Sequence, residues 1–151
     1  MTIKQLSDKL KELASGEPWF GASATSILQT IDQPNAGLPG GNTSGQILEH
    51  MLQWKRFVIE KALGNDEFNI VIGSADDWSK GKQYTTDEFE DLKQHYFTLN
   101  EQLIEILSSK TDRWLETIVP GKKSSFGAVV DGIIDHDIAH LAQLSILKRI
   151  K

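Results

Sequence analysis

Apolar residues recur at intervals of three and four along most of this chain, the spacing that lines one face of an α-helix. Ile47, Leu48, Met51, Leu52, Trp54, Phe57, Val58 and Leu63 keep that interval, and Gly64 follows them as a stop. Thr43, with Gln46 three residues on, can exchange side-chain and backbone hydrogen bonds as a capping box at the start of this helix. A second long helix opens in the same way at Thr85 and Glu88, with acids in its first turn, where the helix dipole favours them. Phe89, Leu92, Tyr96, Leu99, Leu103 and Ile106 then step by threes and fours, the seam of a helix packed in a bundle. A third helix is predicted from a cap at Ser124 or Ser125 to about Ile150, with Lys148 and Arg149 in its last turn.

An N-terminal helix over 2–14, a short one over 22–31 and an amphipathic piece over 111–118 complete the set. Residues 68–72 alone read as strand, and they are too short and isolated to build a sheet. The glycine-rich run 37–42 and the stretch 73–84, with Asp76, Asp77, Trp78 and Gly81, read as long polar loops. The expectation is an all-α bundle.

With 151 residues and 39% hydrophobic content, the chain is sized for one domain, spanning 1–151, around one core. Its net charge of −5 supplies no positive field for phosphate backbones or anionic lipid, so no nucleic-acid or membrane partner is expected. Lys122 and Lys123 form a basic loop too small for a polyanion. The N-terminal segment is charged and amphipathic, and no stretch approaches the roughly eighteen apolar residues of a membrane span, which points to a cytoplasmic protein. The absence of cysteine removes disulfides, thiolate nucleophiles and Cys-built metal sites. Any metal must sit on His, Asp or Glu.

Four histidines occur, His50, His95, His136 and His140. His136 and His140 lie one helical turn apart on one face, the way a helix offers two ligands to one ion. His50, three after Ile47 and four before Trp54, belongs to the core-facing stripe of another helix. A shared metal would satisfy one nitrogen on each of these three imidazoles, and separate bonds to carbonyls or carboxylates would do so equally. His95 falls off its helix seam and reads as a solvated or rim residue. The run His136-Asp137-Ile138-Ala139-His140 also invites comparison with the HExxH of zinc proteases, but Asp137 is one methylene short of the glutamate base.

Residues 132–144, with His136-Asp137, His140 and Gln143, resemble the closing signature GxxxHDxxHxGQ of the DinB-like, YfiT-like superfamily of metal-dependent hydrolases. Residues 43–54 resemble that family's hydroxyl-capped helix, with a His seven after the cap and a Trp four later. Residues 17–23 resemble the PWxGxS opening of one branch. Ala139 stands where an aromatic is common and Ala142 where Gly is usual, changes that reshape a pocket without touching a ligand. The resemblance implies a four-helix bundle in which His50, His136 and His140 hold one divalent metal ion, zinc or nickel. It also makes a homodimer plausible.

Three neutral imidazoles leave such an ion its full charge and at least one open position, where a bound water can be acidified to a pKa near 7 or a thiolate held. Gln143, on the ligand face, is a candidate to orient that water or a substrate, or else bonds a loop carbonyl. Asp137 lies about 100° round the helix from His136, so it is expected to orient another helix's histidine rather than act as base. Trp19 and Trp54 are candidate walls of a cofactor or substrate pocket, or plain core. The expected function is a metal-dependent hydrolase, or a transferase of a low-molecular-weight thiol, acting on a small molecule. The alternative is a non-enzymatic bundle, its metal structural or absent, that binds a partner or ligand.

Overall fold

Thr2, Thr43 and Thr85 each close a capping box, with Gln5, Gln46 and Glu88 returning the hydrogen bond, and each starts a long helix. The structure, a computed structural model, describes residues 1–149. Its helices are α1 (Ile3–Ser15), α2 (Ala24–Leu28), α3 (Ser44–Ala62), α4 (Thr86–Ser108) and α5 (Phe126–Leu147), with a 3-10 turn at Asp112–Glu116. α3 packs on α4 and α5, and α1 packs on the same two, so the four long helices close around one core. Leu6 and Leu10 of α1, Leu48 and Met51 of α3, Tyr96 and Leu103 of α4 and Val130 and Leu144 of α5 are shut from solvent at its centre. The molecule is an all-helical bundle.

Several predicted boundaries move. The short helix over 22–31 contracts to α2, capped by Ser23, and the piece over 111–118 becomes the 3-10 turn. α5 starts after a Ser125 cap and ends at Leu147, so Lys148 and Arg149 lie in the turn beyond it, and the expected reach to Ile150 falls outside the described residues. No strand forms among the described residues; within 68–72, Ile70 is buried while Val71 and Ile72 face solvent. No described helix is long and apolar enough to cross a membrane.

One polar network runs through the core. Lys55 of α3 meets Asp137 of α5 at 2.6 Å and donates to Asn100 of α4 at 3.0 Å. Tyr96 donates to Asp137 at 3.1 Å, and Asn100 donates to the Leu10 carbonyl of α1 at 3.2 Å. Side chains or carbonyls of all four long helices therefore share it. A buried charge is tolerable only when it is paired and hydrogen-bonded, and this network supplies both for Lys55.

The α3–α4 connection, residues 63–85, is far longer than the usual link between bundle helices. It is tied down twice on α3: Gln46 donates to the Ser79 carbonyl at 2.8 Å, and the Tyr84 hydroxyl donates to Glu49. Asn35 and Tyr84 exchange side-chain and backbone hydrogen bonds at 3.0 and 2.9 Å. These ties hold the middle of the loop, Asp77 and Trp78, over the end of α3 that carries His50.

Candidate metal centre

His50 sits two turns into α3, and His136 and His140 sit one turn apart on α5, the helix beside it. Packing of α3 on α5 brings the three rings together. His50 Nε2 lies 3.0 Å from His136 Nε2, which lies 3.2 Å from His140 Nε2, and the three ligand atoms fall within 4.8 Å of one another.

The outer nitrogens decide the chemistry of the inner ones. His50 Nδ1 lies 2.8 Å from the Asp77 carbonyl oxygen, which can only accept, so Nδ1 carries the proton and Nε2 presents a lone pair. His140 Nδ1 lies 2.7 Å from Gln143 Oε1, which fixes the same tautomer. His136 Nε2 faces both lone pairs, and a single N–H there can relieve only one of them. The His136 Nδ1 atom is buried without a partner. A cation at the centre relieves both contacts at once. Tetrahedral zinc with Zn–N near 2.05 Å needs N···N separations of about 3.3 Å, close to the spacings found.

Electrostatics favour the neutral rings that ligation requires. Burial lowers the His50 pKa, outweighing the bond to the Asp77 carbonyl. Burial, followed by the charges of His140 and His50, pushes His136 down to about 4. Burial would raise the Asp77 carboxyl, but hydrogen bonds from the Gly73 amide at 2.7 Å and Trp54 Nε1 at 2.8 Å hold it below the usual carboxylate range.

Trp78 stacks flat on His50, centroids 3.7 Å apart and planes 8° from parallel, and turns its edge to His140 at 5.9 Å. Asp77 and Trp78 are the site residues that helical periodicity missed, because they lie on a loop that carries no period. The available signal was the loop's length, since a long ordered connection in a small bundle usually serves a function.

Two cavities reach the cluster. One, of about 370 Å³, runs between α3 and α5 past Trp54, Val58 and Ile133 to His136. The other, of about 260 Å³, lies beyond Trp78 among Ile47, His140, Gln143 and Leu147.

Of the residues singled out from the sequence, His50, His136 and His140 converge, and Gln143 bonds His140 rather than a loop carbonyl. Trp54 lines the larger cavity and fixes Asp77. His95 is exposed on the outer face of α4, on neither cavity. Two expectations need correction. Trp19 is 94% exposed in the turn between α1 and α2 and lines neither cavity at the histidines, so it is not a wall of this site. Asp137 orients no histidine: the step of about 100° from His136 carries it into the core, where Lys55 and Tyr96 take its carboxylate. The orienting role expected of Asp137 falls instead to Asp77, which takes the His50 Nδ1 hydrogen.

The family model described as the DinB superfamily matches residues 24–144, from the start of α2 to the last turn of α5. No match to the chain was found among curated proteins or among solved structures.

Proposed function

The chain belongs to the DinB superfamily, and from that premise we propose that it is a metal-dependent enzyme whose His50, His136 and His140 hold one divalent ion, zinc or nickel, against a small-molecule substrate. The observation that carries this reading is the pair of Nδ1 hydrogen bonds, to Asp77 and Gln143, that turns two Nε2 lone pairs onto a third imidazole nitrogen. When bound, such an ion supplies a Lewis acid with an open position that acidifies water or holds a thiolate.

The chain's own residues supply orientation and shielding. Asp77 and Gln143 set the tautomers, and Trp78 covers the His50 face, keeping water off the least exposed ring. No side chain of the described cluster is free to act as nucleophile: cysteine is absent, and the Asp77 oxygens already accept from Trp54 and Gly73. The nucleophile therefore has to be a water or a low-molecular-weight thiol, giving hydrolysis or S-transfer. A purely structural ion fits less well, because structural zinc sites are closed by four ligands, whereas His136 and His140 are half-buried and each lines a cavity.

The test is a cobalt-substituted protein titrated with small thiols and small anions. Its visible spectrum should change on addition, and should not in His140→Ala. A spectrum indifferent to every added ligand would leave the ion structural and the enzyme reading wrong.

A further inference from the structure

Val129, Ile133 and His136 fall at intervals of three and four on α5, forming one stripe that faces Trp54, Phe57 and Val58 of α3 across the larger cavity. His136 is one end of that stripe. At the other, Lys122, Lys123 and Ser124, in the turn before α5, line the same cavity. At a rise of 1.5 Å per residue, His136 stands about 15 Å along α5 from its first residue, Phe126, just beyond that turn. The groove is thus long, apolar along its walls and cationic at the end remote from the histidines.

Those two cations are available. The chain has a net charge of −5, yet neither Lys122 nor Lys123 takes part in an ion pair among the described residues, whereas Lys4, Lys9, Lys55, Lys82 and Lys93 all do. Lys122 lies over the Phe57 ring at 5.1 Å and donates to Asn69 at 3.1 Å, which holds its ammonium beside the apolar wall. Ile72, 82% exposed, lines the groove from the α3–α4 loop and leaves apolar surface for an occupant to cover.

We propose that this groove takes an elongated apolar molecule bearing one anionic group, with the anion at Lys122 and Lys123 and the apolar body running toward His136. The inference names the substrate class for the histidine centre and rests on the reading of that centre as the reacting end. The walls reject a polar body, because desolvated groups there find no partner, and the lysines fix which end enters last. The reactive group then sits at the end of the molecule opposite its anion.

Calorimetric titration with decanoate, 1-decanol and decylammonium tests it on zinc-loaded protein, on a Lys122→Gln/Lys123→Gln double variant and on Val129→Trp. Decanoate should bind at least tenfold tighter than the alcohol or the ammonium. The lysine variant should lose that preference with its decanol affinity unchanged, and Val129→Trp should weaken all three. A decanoate preference that survives the lysine changes would place the carboxylate on the ion instead, and equal binding of all three would remove the charge argument; either result overturns the proposal. Zinc measured on the same samples keeps the two readings apart. A lysine-dependent preference in protein that holds no metal would support the groove and sink the centre, whereas failure of the preference in fully loaded protein sinks the groove alone.

Discussion

His50 and His140 can present bare Nε2 atoms only while Asp77 and Gln143 hold their Nδ1 hydrogens, so metal affinity depends on residues that never touch the ion. His50→Ala, His136→Ala and His140→Ala should each lose most of the bound metal by elemental analysis, and His95→Ala, exposed on α4, should keep it. Gln143→Ala should retain the fold but weaken affinity by about tenfold or more in competition with a chromogenic chelator. Unchanged affinity would mean that the bond to His140 is incidental. The depressed histidines also set a pH dependence. In metal-free protein, folded His136 refuses its proton until about pH 4, while the unfolded chain accepts one near 6.5. Between those values the unfolded state binds more protons, so stability falls as pH drops through that window and levels off below it. Urea midpoints at pH 7, 5.5 and 4.5 should fall more steeply for the native sequence than for His136→Gln, a difference in which the shared carboxylate contributions cancel. Equal slopes would contradict the depressed value.

α3 and α5 carry the histidines on one side of their contact and a buried ion pair, Lys55 with Asp137, on the other. Truncating one partner leaves a charge stranded in the core. Asp137→Ala should therefore cost about 3–5 kcal/mol by urea denaturation, while the double change Lys55→Met/Asp137→Leu should recover most of that and still bind metal. Loss of metal in a folded double variant would restore Asp137 as a positioning residue. Gly45 shows how an element can act on the site at a distance. A Cβ there would lie well inside van der Waals contact of the Tyr84 ring, whose hydroxyl is bonded to Glu49 and Ser79. Gly45→Ala should thus lower stability despite alanine's better helix propensity, and should weaken metal binding by displacing the loop that carries Asp77. Neither effect was legible in the sequence. Periodicity places Lys55, Asp137 and Gly45 on their helices, but their partners come from other helices or from a loop with no period. For the same reason the sequence assigned Asp137 to a histidine when Lys55 and Tyr96 were nearer.

The caps and apolar stripes were readable because they are local: each threonine bonds its own third residue, and each stripe repeats within one helix. Convergence of His50 with His136 and His140 is not local: the apolar stripe could say only that His50 faces inward, and the four-residue spacing only that His136 and His140 share a face. The ion is therefore not expected to be what closes the bundle, since Leu48, Met51, Tyr96, Leu103, Val130 and Leu144 meet without it. Metal removed by chelator should leave most of the far-UV helical signal, because amphipathic faces packed in a core, rather than a single ligand set, supply most helical stability. The apparent melting temperature should still rise when zinc is restored, and more so at higher free zinc, since an ion that binds only the folded state stabilises it by mass action. That increment should vanish in His50→Ala, whose α3 stripe is otherwise intact. Collapse of the helical signal on chelation would show instead that the ion holds α3 to α5, making the centre a structural clasp and removing the open position on which the proposed chemistry depends.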